Sequence, residues 1–139
     1  MIFGHERQWE YLKKVHEKES FAHAYLFSGP AHVGKATLAK EWVKLFLGAT
    51  PEAREAIDAG RHTDVIYLSK EKPLSAENEG KSIGIDSIRE LKRVLGLASY
   101  SGGMRFVLVD GAEDMRTEAQ NSLLKILEEP PQKTVLILI

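Results

Sequence analysis

The 139-residue sequence has no cysteine. Disulfides, thiolate metal sites and cysteine nucleophiles are therefore excluded, and a cytoplasmic setting is expected. No apolar run approaches about 18 residues, so no segment reads as a membrane span. The first ten residues lack the apolar stretch of a signal peptide. Charge of either sign is not in excess: 19 Lys and Arg stand against 20 Asp and Glu, a net charge of −1. No global positive field draws the chain to nucleic acid or membrane, so DNA contact needs a local patch or partner subunits. Lys40, Lys44, Lys92 and Arg93 read as solvated charge scattered over helices. Histidines 5, 16, 23, 32 and 62 include no pair at metal-ligand spacing beside carboxylates, and read as core filler or surface. No internal repeat or low-complexity segment is present. What remains is the composition of one globular domain, long enough to bury a core.

Helical spacing and short apolar runs alternate along the chain. Residues 6–18 read as an amphipathic helix with Trp9, Leu12, Val15 and His16 on one side. Residues 23–28 read as a strand buried on both faces. Residues 34–47 form a helix with Leu38, Trp42, Leu45 and Phe46 inward, ended by Gly48. Thr50 caps a short helix that has Pro51 in its first turn and stops at Gly60. Residues 64–69 are a second strand, and the polar stretch 70–82 is an exposed, mobile loop. Residues 85–97 carry a stripe of Ile88, Leu91 and Leu95, capped by Asp86 or Ser87, with Glu90 completing a capping box. Residues 105–110 are a third, apolar strand ending in Asp110. A second capping box, Thr117 with Gln120, opens a helix through Leu123, Leu124 and Leu127. Pro130 and Pro131 stop it. Residues 134–139 are a fourth strand. This alternation predicts an α/β fold, a parallel sheet covered on both faces with right-handed crossovers. An apolar terminal strand with nothing to cover it suggests the front part of a longer protein.

The chemistry concentrates where the first strand meets the second helix. Gly29, Pro30, Ala31, His32, Val33, Gly34 and Lys35 have the spacing of a phosphate-binding P-loop. The two glycines let backbone N–H groups surround an anion, the helix N-terminus adds partial positive charge, and Lys35 would reach the β- and γ-phosphates. The bland alternative is a tight turn with a solvent-facing lysine. The motif asks for Ser or Thr after the lysine, where the hydroxyl ligands Mg²⁺. Ala36 stands there. Thr37 comes one residue late, rotated by about 100° around the helix. Asp110, at the C-terminal end of an apolar strand, reads as a Walker B acid that would hold Mg²⁺ weakly, through water. The glutamate that follows this acid in many such ATPases is replaced by Gly111. Glu113, three residues past Asp110, is not expected to reach the same water. Both defects predict a nucleotide-binding fold with little or no hydrolysis of its own.

A resemblance then covers essentially the whole chain. Ile2 to His5, His23 to Pro30 leading into Gly34-Lys35, His62-Thr63-Asp64 and Ile85 to Arg89 are similar to the bacterial DNA polymerase III clamp-loader delta-prime family. Most specific is the helix Asn121 to Pro131, with Leu123, Leu124, Lys125, Leu127, Glu128, Glu129, Pro130 and Pro131. It resembles the signature shared by delta-prime and gamma/tau subunits. The resemblance implies a P-loop NTPase of the AAA+ class, a three-layer α/β/α module that is truncated after the fourth strand. It implies a stator in ATP-driven loading of the sliding clamp onto primed DNA. Its partners would be gamma/tau and delta-type subunits, with ATP or ADP and Mg²⁺ as candidate ligands. The family's four-cysteine zinc module is missing, with a short helix in its place, so no zinc is expected. The chain also ends before the segments that carry the family's sensor 1, its neighbour-serving arginine, and the lid and collar domains. Two other readings differ in what they need. A hydrolysing gamma/tau-type ATPase needs Thr37 and Glu113 as stand-ins. A small-molecule kinase needs an arginine-bearing lid, which residues 70–82 do not supply.

Overall fold

In chain order the elements are α1 (Glu6–Glu17), β1 (Ala24–Leu26), α2 (Lys35–Phe46), α3 (Pro51–Asp58), β2 (Val65–Leu68), α4 (Ile85–Leu95), β3 (Arg105–Val109), α5 (Thr117–Glu128) and β4 (Thr134–Leu138). They come from a computed structural model that describes residues 2–74 and 82–139. The expected loop at 70–82 falls partly outside these, at 75–81.

All strand pairs are parallel, in the order β1-β4-β3-β2. Every residue of β3 is buried, as a central strand covered on both faces requires. Alternation splits its side chains: Phe106 and Leu108 join one core with Leu38, Trp42 and Ile57, while Val107 and Val109 join another with Ile88, Leu91 and Leu123. Helices α1, α2 and α3 thus cover one face and α4 and α5 the other, giving the expected three layers. The first core is aromatic: Phe46 packs edge-on against both Phe21 and Phe106, and Tyr25 against Trp42. The buried Trp42 indole donates 3.0 Å to the Leu12 carbonyl, tying α2 to α1.

Helix ends follow local chemistry. Gly48, at φ 55°, closes α2: its N–H donates to Leu45 O and the Ala49 N–H to Lys44 O. Gly60 closes α3 in the same way. Thr50 caps α3, its Oγ1 accepting from Ala53 N at 3.3 Å.

Several expectations need correction. Strand β1 is shorter than 23–28 and is not buried on both faces, since it forms an edge and Leu26 is 71% exposed. Neither predicted capping box forms. Helix α4 begins at Ile85 behind an extended Gly84, placing Ser87 inside the helix and buried. Helix α5 begins at Thr117 itself, and Gln120 Nε2 donates 2.8 Å to Met115 O. In α5, Ala119, Leu123 and Ile126 face inward while Leu124 is exposed. Lys44 is not solvated: it is 4% exposed and bonded to Glu41 and Asp58.

Candidate functional site

The parallel sheet brings its functional loops to one edge, because every strand runs toward the same side. Beyond β1, Phe27 N–H donates to Leu138 O at 2.8 Å, which fixes where the chain leaves the sheet. The glycine loop follows. Gly29 has φ 151° and Gly34 φ 91°, and His32 takes the left-handed region at φ 63° without being glycine. Gly34 is the N-cap of α2 and gives no side chain to the helix. The first N–H groups of α2 therefore have no side-chain cap, the condition under which a helix start receives an anion. Lys35 Nζ donates to the carbonyls of Gly29 at 2.6 Å and Pro30 at 3.2 Å. A bound phosphate would compete for these donors. His5, through Nε2, pairs with the Val33 carbonyl and ties the chain before α1 to the loop.

Asp110 is set beside this loop by backbone bonds. Its N–H donates to Leu68 O at 2.8 Å, and the N–H groups of Gly111 and Ala112 donate to Ile139 O at 2.9 and 3.2 Å. A cleft of about 500 Å³ lies between the two motifs, lined by Lys35, Ala36, Thr37, Asp110, Glu113 and Asp114 among others. The structure thus brings Ala31, His32, Gly34, Lys35, Ala36, Thr37 and Asp110 to one cleft. A second cleft of about 430 Å³ lies on the α1 side, with Val33, His5, Tyr11 and Tyr25 in its walls and Lys35 shared between the two.

Gly111 has φ 86°, a left-handed conformation that a side chain adopts only with strain. The backbone then makes a 3₁₀ turn, Ala112–Asp114, which puts Glu113 on the cleft wall. Glu113 is therefore nearer the site than its spacing suggested. Ala36 offers no oxygen, whereas the Thr37 hydroxyl belongs to an exposed residue of the same wall.

Sequence reasoning missed Tyr67. Its hydroxyl donates a hydrogen bond to Asp110 Oδ2, from the neighbouring strand β2. Burial, reinforced by this bond and the nearby carboxylate, raises its pKa well above the ordinary phenol value. Lys40 Nζ lies 4.4 Å from the Tyr67 ring centroid. Burial lowers the Lys40 pKa, with Lys72 and Lys44 acting in the same direction and Asp58 and Asp110 opposing. Only the alternation of β2 could have pointed to Tyr67, since its residues 65 and 67 share a side.

Mg²⁺ keeps several waters and usually takes one or two carboxylates plus phosphate oxygens. The cleft fits that mode and no richer one. Asp110 keeps Oδ1 outside the tyrosine bond, Ala36 contributes no oxygen, and no cluster of three or more potential ligands occurs among the described residues. The signature residues lie elsewhere: Lys125, Glu128, Glu129 and Pro131 border a groove with the end of α4. Another motif histidine, His62, accepts from Asp64 N–H at 3.1 Å and shapes the entry to β2.

The family model described as DNA polymerase III, delta subunit, matches residues 4–139. DNA polymerase III subunit delta' of Pseudomonas aeruginosa is 40% identical over 127 residues, 85% of this chain and 37% of that protein. The Bacillus subtilis subunit delta' is 34% identical over 131 residues, 88% of this chain and 37% of that protein. The B. subtilis subunit tau is 30% identical over 146 residues, 99% of this chain and 24% of that protein. A solved structure of a DNA polymerase III gamma subunit-related protein from Thermotoga maritima superposes with a TM-score of 0.69 at 30% identity, covering 94% of this chain and 38% of that one. The chain spans less than two fifths of the length of each of these relatives. On the match of nearly all its residues, the chain belongs to the DNA polymerase III delta subunit family.

Proposed function

We propose that this chain is the nucleotide-binding module of a delta-prime-like clamp-loader subunit, a cytoplasmic stator that helps load the sliding clamp onto primed DNA. Its partners are gamma/tau and delta-type subunits, and it meets the clamp and DNA through that assembly. The phosphate loop takes ATP or ADP, with Mg²⁺ held weakly by Asp110 through water, and turnover is left to neighbouring subunits.

The observation that carries this reading is the left-handed Gly111 directly after Asp110. No side chain projects from the place where a hydrolysing site needs its carboxylate. Ala36 packs beside the core rather than offering a hydroxyl. Losing groups that position water or metal costs orders of magnitude in phosphoryl transfer.

Titration with ATP and with ADP, each with and without Mg²⁺, tests the binding claim. Saturable binding is expected, weakened at least roughly tenfold in Lys35→Ala by loss of a charge-assisted contact. Equal affinities for the two proteins would remove the phosphate loop from the account. One observation favours a second reading, a hydrolysing gamma/tau-type subunit: Thr37 and Glu113 both stand on the cleft wall.

A further inference from the structure

We infer that Tyr67 is a positioning residue that restrains Asp110 and weakens the grip of the cleft on a divalent cation. The inference rests on the reading of the cleft as a nucleotide site and adds a residue that no motif includes.

The geometry is specific. Tyr67 lies on β2 and Asp110 directly follows the adjacent parallel strand β3, with Tyr67 registered against Leu108 and Leu68 against Val109. The hydroxyl of Tyr67 therefore reaches a carboxylate just past the end of β3, and it donates to Oδ2. An ionised carboxylate only accepts, and its two oxygens offer about four lone-pair sites. An O–H···O⁻ bond to an ionised carboxylate is among the stronger neutral-to-charged contacts. It draws electron density from the carboxylate and fixes its rotation. Oδ1 then remains as the main acceptor for a metal-bound water. A metal-bound water that sought Oδ2 would find one of its two lone-pair sites already taken by the phenol.

The phenol is itself held. Tyr67 is half-buried in the first core, and Lys40 stands over its ring. Lys40 Nζ also donates 3.3 Å to Asp58 O at the end of α3. Lys72 Nζ donates 3.0 Å to Ala59 O at the same helix end. The charged and titratable groups around the Tyr67 hydroxyl are thus Asp110, Lys40 and, more weakly, Glu71. None of them offers Tyr67 a rival acceptor as close as Asp110. With Ala36 withholding the other expected oxygen, the motif acid Asp110 meets a cation as a restrained carboxylate.

The test uses Mn²⁺ alone as the probe, titrated into this chain and followed by the loss of its free electron-spin resonance signal. Tyr67→Phe keeps the ring and the Lys40 contact and removes only the hydroxyl. It is expected to bind Mn²⁺ roughly three- to tenfold more tightly than the unchanged chain, the scale of one ordinary net hydrogen bond. The gain is expected to vanish in the double variant Tyr67→Phe with Asp110→Asn. Equal or weaker binding by Tyr67→Phe, including no measurable binding by either protein, would overturn the inference. So would a gain that persists without the Asp110 carboxylate. A purely structural role would lower thermal stability and leave Mn²⁺ affinity unmoved, which counts against the inference. The titration contains no nucleotide. Failure of ATP to bind would thus sink the nucleotide reading while Mn²⁺ still decides the role of Tyr67.

Discussion

At residue 111 the backbone, not the side chain, decides what chemistry is available. Gly111 sits at φ 86°, and the space around it is open: an added Cβ would meet nothing closer than Asp114 Oδ2, at 4.0 Å. Restoring the missing acid is therefore sterically allowed but conformationally strained. Gly111→Glu is expected to lower stability by about 1–2 kcal/mol, the cost of forcing an L residue into the left-handed region. Because φ also sets the side-chain direction, it is expected to leave phosphate release at background. Chemical denaturation and a phosphate-release assay check the two halves, and a rate gained only in this variant would show that the turn relaxes. The same position shows what a motif reveals and what it hides. The missing carboxylate is legible in the residue type. The left-handed turn that carries Glu113 back toward the cleft is not, because it depends on the bonds from Gly111 and Ala112 to Ile139, 27 or more residues away in sequence. Tyr67 was hidden for a related reason: its partner lies 43 residues away.

At the level of elements, two ionic devices hold helices that the hydrophobic pattern alone would leave loose. Helix α3 buries Ile57 as its one fully buried hydrophobic. It is fastened to α2 by Lys44 to Asp58 at 2.7 Å and Arg54 to Glu41 at 2.9 Å. Burial alone would lower the Lys44 pKa, but the hydrogen bonds its ammonium donates to Asp58 and Glu41 outweigh it and raise the pKa above the ordinary lysine value. The stabilisation is then fully present below the ordinary lysine value and is lost as pH rises through the raised one. Lys44→Met is expected to cost about 1–2 kcal/mol at neutral pH, less than a wholly buried pair because Asp58 is 56% exposed. The difference from the unchanged chain should shrink in the alkaline range. Denaturant titrations at neutral pH and above the ordinary lysine value measure both. The second device is Arg105, 7% exposed at the start of β3, which donates to the carbonyls of Val94, Leu95 and Leu97. It supplements the backbone bonds at the C-terminal end of α4 and supplies donors to the carbonyls of Leu95 and Leu97. Arg105→Met is expected to cost about 1–3 kcal/mol by taking this donor from the buried Leu95 carbonyl and the partly buried Leu97 carbonyl, readable as a lowered denaturation midpoint. Sequence patterns located Thr50, Gly48 and Gly60 correctly because those ends are decided by near neighbours in the chain. The two capping boxes failed because Gly84 and Arg116 already take the extended N-cap conformation, placing the hydroxyls one or more positions inside the helix.

For the whole molecule, periodicity was enough to establish the layered architecture, and long-range pairing was not. The apolar runs of β3 and β4 announce strands buried on both faces, and the stripes of α4 and α5 announce what covers one side. The order β1-β4-β3-β2 cannot be read from any local window. Neither can the edge position that exposes Leu26. That order nonetheless makes the site, since β4 between β1 and β3 spaces the phosphate loop and Asp110 across one cleft. The resulting molecule is a phosphate loop facing a restrained acid, with no side chain where a hydrolytic base would stand. The central prediction of the proposed reading is binding without turnover. The most direct measurement follows nucleotide occupancy and phosphate release in one sample of this chain with Mg²⁺ and ATP. Saturable occupancy that depends on Lys35, with release at background, is the predicted result. Release that requires Lys35 and disappears in Glu113→Gln and Thr37→Ala would contradict it and identify a working ATPase.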